Sequence, residues 1–99
     1  MGTLENKFKT HLRHRLEATY PGCIITYLDP NDIQGIPDML ILYENMWATL
    51  EGKKSQHATI QPNQPYYVDL MNRMSFSAFI FPENEEEVLE DLHLFFTRC

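Results

Sequence analysis

The chain predicts an α/β domain in the broad sense (α+β), with a mixed β-sheet, helices on both faces and the element order α-β-β-β-α-β-α. Three observations carry that prediction. Leu4, Phe8, Leu12, Leu16 and Tyr20 recur every four residues, which makes one apolar stripe on a helix. Cys23 to Leu28 is rich in β-branched and aromatic residues and reads as a strand. Met39–Tyr43 is apolar without alternation, the pattern of a strand covered on both faces.

Taken in order, the first helix runs from Thr3, a suitable N-cap, to about Tyr20, where Pro21-Gly22 stops it. The strand Cys23–Leu28 gives way to the turn cluster Asp29-Pro30-Asn31-Asp32, and Gly35 and Pro37 lengthen the loop. Asp38–Tyr43 and Met46–Lys53 are separated only by Glu44-Asn45, so they predict a β-hairpin. Asn45 tolerates positive φ and Glu44 does so less readily, which leaves a longer loop open. Ser55 to Pro62 is a polar connector. A second helix is expected from Asn63 or Gln64 to Met74, with Asn63 as N-cap candidate and Pro65 in the first turn. Phe76–Phe81 is a short apolar strand. Pro82-Glu83-Asn84 opens the last helix, with Asn84 as its cap and Val88, Leu92, Phe95 and Phe96 as its buried stripe.

Ninety-nine residues suffice for a single domain, 1–99, with one modest core. Hydrophobic residues make up 43% and charged residues 22%, which excludes a disordered tail. No apolar run approaches the roughly 18–20 residues needed to cross a bilayer, so no membrane partner is expected. The opening MGTLENKFK has no apolar stretch behind it and does not read as a signal peptide. Cys23 and Cys99 are far apart and show no metal-ligand spacing, which fits a reducing intracellular setting. Net charge is −6, against a protein that holds nucleic acid by its global field. The imbalance is local, because six of the 14 acids fall between Glu83 and Asp91. Lys7, Lys9, Arg13 and Arg15 sit in the first helix, so a local phosphate-binding surface stays open.

The chemistry concentrates in the hairpin. With a two-residue loop Tyr43 pairs with Met46, and counting outward sets Asp38 opposite Glu51. Residues directly opposite project from one face with Cβ atoms about 4.5–5.5 Å apart. Lys53, two residues on, shares that face. Facing carboxylates repel unless a cation sits between them, and Mg²⁺ is the hard ion that favours such a pair. Glu5 falls within about 20° of Leu12 and Leu16 on the helical wheel, in the middle of the apolar stripe, where a carboxylate needs a partner or a metal. Gln64 likewise begins the buried face of the second helix, with Tyr67, Val68, Met71 and Ser75. Both helices therefore point toward one polar pocket.

Gly35-Ile36-Pro37-Asp38, then twelve residues, then Glu51-Gly52-Lys53, resembles the PD-(D/E)xK signature of the restriction-endonuclease-like superfamily. Glu5 in the preceding helix and Gln64 in the following one are similar to the small VRR-NUC and phage junction-resolving branch. The resemblance spans about residues 4 to 81. It implies a restriction-endonuclease-like αβββαβ core with an extra C-terminal helix, and Mg²⁺- or Mn²⁺-dependent hydrolysis of DNA phosphodiester bonds. By the same resemblance Asp38, Glu51 and the Gly52 carbonyl hold the metal, and Glu5 binds a second ion or its water shell. Lys53 orients the attacking water and neutralises the phosphate, while Gln64 holds the pocket or touches the DNA backbone. A viral or bacterial genome-processing role is implied too.

Each residue also has a plainer reading. Asp38 can be a turn residue at strand entry, Glu51 and Lys53 a solvated hairpin edge, Glu5 a helix-dipole acid and Gln64 a cap. His57 reads as a loop histidine, His11 and His14 as solvated, and the C-terminal acids as a solvated helix face. Trp47 and the aromatics of the last helix read as core. Two rival functions stand beside the nuclease: a nuclease-fold module that binds nucleic acid or a partner without cutting, and an interaction protein using its acidic last helix. A chain this short also predicts a homodimer, which would enlarge the core and present two sites.

Overall fold

Thr3 starts the first helix, its hydroxyl accepting from the Asn6 N–H at 3.1 Å. The computed structural model describes residues 3–98, so Cys99 lies outside the described residues. The elements are α1 (Leu4–Thr19), β1 (Ile24–Tyr27), β2 (Met39–Tyr43), β3 (Met46–Gly52), α2 (Asn63–Met74), β4 (Ser77–Ile80) and α3 (Glu85–Thr97), with a 3₁₀ turn at Pro82–Asn84. The order α-β-β-β-α-β-α is the one the sequence predicts. Among the described residues no helix is long and apolar enough to cross a membrane.

The sheet runs β1-β2-β3-β4. Its first three strands are antiparallel, and β4 lies parallel to β3 because the chain returns through α2. Tyr43 pairs with Met46 and Met39 with Leu50, so the hairpin loop is the two residues Glu44-Asn45 and the longer loop is ruled out. The positive φ falls on Glu44, at 55°, rather than on Asn45. A tight hairpin turn needs left-handed backbone at its first central position to match the strand twist, and that demand outweighs side-chain preference.

Alternation then sorts the two faces. Met39, Ile41, Ala48, Leu50 and Ile80 join Phe8, Leu12 and Leu16 of α1 and Val88, Leu92 and Phe96 of α3 in one core. Thr49 and Ser77 project the other way, where the Thr49 hydroxyl donates to Ser77 at 2.8 Å beside Met71 of α2. Helices thus cover both faces, but α2 packs mainly on β3 and β4. Met39–Tyr43 is accordingly not buried on both sides: Leu42 is 39% exposed while Ile41 is fully buried.

Two caps differ from expectation. Asn63 is the first helical residue after Pro62 and makes no cap bond; its amide faces the Gln34 carbonyl at 3.5 Å. The Asn84 side chain turns back, accepting from Phe81 N–H at 2.8 Å and donating to the Phe79 carbonyl at 3.2 Å. It ties β4 to the 3₁₀ turn instead of capping α3.

The sheet has chemically different ends. At the hairpin end Tyr20, Tyr43 and Phe96 pack ring against ring, with centroids 5.1–5.4 Å apart. At the other end, where Asp38 enters β2 and Gly52 leaves β3, the side chains are charged.

Candidate active site

Continuing the register one step beyond Met39 and Leu50 sets Asp38 level with Glu51, as the sequence predicts. Asp38 is fixed on both sides: its carbonyl accepts from Leu28 N–H at 2.8 Å, and one carboxylate oxygen lies 3.5 Å from the Gly52 N–H. Glu51 and Lys53 alternate out of β3 toward α2. Both are nearly buried, Glu51 at 4% exposed and Lys53 at 7%, so the solvated-edge reading fails for them.

Gln64, in the first turn of α2, stands between them. Its Oε1 accepts from the Lys53 ammonium at 2.9 Å and from Gln61 N–H at 2.9 Å. Its Nε2 donates to Glu51 Oε2 at 3.1 Å. Lys53 Nζ lies 3.6 Å from that same Glu51 oxygen. One amide therefore satisfies an ammonium and a carboxylate together, which a buried ion pair requires.

Lys9 of α1 completes the cluster, and sequence reading passed it over. Its ammonium is 2.6 Å from Asp38 Oδ2 and 3.3 Å from Glu5 Oε2. The stem crosses Gly52, where an added Cβ would lie 3.1 Å from Lys9 Cγ. Glycine at 52 thus admits the lysine. The available signal was the Glu5–Lys9 spacing, one helical turn on a face that carries a carboxylate. Glu5 itself is not in the middle of a buried stripe. Its side chain is 35% exposed, and Leu4 beside it is 72% exposed. Glu5 reaches the cluster through Lys9.

Both buried acids hold their protons more tightly than usual, mainly because they are buried. Burial, then the charge of Asp38, raises Glu51 from 4.5 to about 7, and Lys53 and Lys9 offset this only in part. Burial likewise pushes Asp38 up against the pull of Lys9. Burial, the largest single influence, would lower Lys9, but the bonds and charges of Asp38 and Glu5 together outweigh it and hold the ammonium above its ordinary value.

No family model, curated protein or solved structure matches the chain. The donor set must therefore be judged on its own chemistry. Among the described residues no three His, Cys, Asp or Glu side chains converge to hold a metal unaided. Asp38, Glu51 and the Gly52 carbonyl, from the same end of the hairpin, nonetheless offer only oxygen donors, the chemistry Mg²⁺ accepts when water and substrate phosphate complete its shell. A divalent ion there would supply the charge that Glu51 lacks. The donor chemistry suits a hard divalent ion, although Lys9 already stands on Asp38.

Elsewhere the expectations divide. His57 lies in the exposed connector beside Gln56. His11 has a partner after all, with Nε2 2.7 Å from Glu85 Oε2. Arg15 binds Glu85 and Glu86, so the start of the acidic helix is docked on α1 rather than fully solvated. Arg13 donates to the Ile25 carbonyl at 3.0 Å and lies over the Tyr27 ring. Lys9, Arg13 and Arg15 are thus engaged within the chain, which shrinks the basic surface the composition left open.

Proposed function

We propose that this chain is a Mg²⁺- or Mn²⁺-dependent endonuclease of the PD-(D/E)xK type that hydrolyses DNA phosphodiester bonds, with a preference for branched or distorted duplex. The supporting observation is the convergence of Asp38, Glu51 and Lys53 at one sheet end, with Gln64 bonded to the last two. The element order α-β-β-β-α-β agrees with it. Asp38, Glu51 and the Gly52 carbonyl would hold the ion, with Glu5 at its outer shell. When bound, such an ion acidifies water and withdraws charge from the phosphate. Lys53 orients the attacking water and offsets the charge that gathers on the phosphate oxygens. Gln64 keeps Lys53 and Glu51 in register for that work. As the water oxygen bonds to phosphorus, the P–O bond to the leaving sugar oxygen breaks.

The test is a panel of linear, nicked, flapped and four-way DNA with Mg²⁺ or Mn²⁺. Asp38→Asn and Lys53→Met should abolish cleavage while the circular dichroism spectrum is kept. Retained cleavage by purified Asp38→Asn protein removes the proposal. A homodimer belongs to it as well: light scattering should give twice 11.7 kDa, and a monomeric mass at micromolar concentration removes that part.

One observation favours the rival reading of a non-cutting module: Lys9 gives Asp38 a cation without any metal. Calorimetric titration separates the two, because such a module would bind no divalent ion.

A further inference from the structure

Lys9 has no part in the chemistry above, yet its placement is specific. The ammonium meets Asp38 and Glu5, the side chain is 18% exposed, and its stem fills the space that glycine leaves at 52. Of the residues assigned to the ion, Asp38 and Glu5 are the two it contacts. An ammonium and a divalent cation held at such range repel, and Lys9 already occupies Asp38 Oδ2, while Oδ1 has, among the described residues, only the Gly52 N–H at 3.5 Å. Resting on the metal-site reading, we propose that Lys9 is a tethered competitor of the divalent ion. It neutralises Asp38 and Glu5 while the ion is absent, and it is displaced from Asp38 when the ion binds.

Two consequences follow from the charges. Ion affinity is held down, since the ion must bind against the charge that Lys9 already places on Asp38. The released ammonium remains tethered beside the site, within reach of an incoming phosphodiester, so anionic substrate stabilises the displaced state. Ion and phosphate then bind cooperatively through one lysine.

The experiment is calorimetric titration of Mn²⁺ into the full chain and into Lys9→Met, which keeps an apolar stem over Gly52. Loss of the competitor should tighten Mn²⁺ binding by about tenfold, the scale of one partly buried ion pair. Equal or weaker binding by Lys9→Met overturns the competition and leaves the metal site standing. Binding by neither protein overturns both. A second readout is the rate at which an amine-acylating reagent modifies Lys9, followed by mass spectrometry with Lys7 as internal reference. Added Mg²⁺ should raise the Lys9 rate several-fold, and an unchanged rate means that the lysine never leaves Asp38.

Discussion

Gly35 rests directly on Asn63: a Cβ at position 35 would lie 2.4 Å from Asn63 Cβ and 2.8 Å from its carbonyl carbon. The loop before Asp38 is thereby seated on the first turn of α2, the turn that carries Gln64. Gly35 also has φ +93°, a conformation that a side chain resists.

Gly35→Ala should therefore cost more than an ordinary loop substitution. Strain and clash together predict a loss of at least about 2 kcal/mol in urea denaturation. Because the clash is with backbone, α2 must shift, and Gln64 should lose its hold on Lys53. Divalent-ion affinity should fall along with stability. A variant as stable as the parent would show that the loop and α2 are not locked together.

Glu51 makes stability depend on pH in a definite direction. Its folded value lies near 7 against an ordinary 4.5, so the folded chain holds the proton more tightly than the unfolded one. Stability is then fully present below about 4.5 and is lost as pH rises through about 7. A shift of that size is worth roughly 3 kcal/mol, at about 1.4 kcal/mol per pKa unit. The melting temperature should be lower at pH 8 than at pH 5.5, and Glu51→Gln should flatten that slope. An equal slope in Glu51→Gln would assign the dependence to other groups.

The hairpin was legible because only Glu44-Asn45 separates two short apolar runs; of the two loops the sequence left open, the tight one forms. Tyr43–Met46 pairing then determined that Asp38 and Glu51 would be level. Gln64 was legible as a polar residue opening an apolar face, although its two hydrogen bonds, from Lys53 and to Glu51, were not. Lys9 was hidden because a lysine on an amphipathic helix looks solvated. Its role depends on meeting Asp38 across the fold and on the space at Gly52, both tertiary facts. Glu5 is another such case, placed by the helical wheel on the buried stripe and left 35% exposed by the fold. Arg15 and His11 were missed for a related reason, since their partner Glu85 is 74 and 70 residues away from His11 and Arg15 respectively.

Gln64→Leu removes the group that satisfies both Lys53 and Glu51. Leaving two buried polar groups short of a partner should cost about 1–3 kcal/mol. Much of that loss should vanish in the Lys53→Met background, where the ammonium is already gone. A double-mutant cycle reads the coupling, and strict additivity would mean that the bridge contributes nothing.

Arg15 joins α1 to α3 by bonds to Glu85 and Glu86, yet those carboxylates are unequal. The Glu85 side chain is 12% exposed and Glu86 80% exposed. Water and salt screen the Glu86 bond, so most of the useful attraction runs to Glu85. Glu85→Gln should then lower the melting temperature more than Glu86→Gln, although Glu86 makes two of the three bonds. Arg15→Met should cost no more than about 1 kcal/mol, since the guanidinium is partly exposed. Its deficit should shrink in 1 M NaCl, where the Debye length falls to about 3 Å. A deficit that survives high salt would instead assign the role of Arg15 to the packing of its stem against α3.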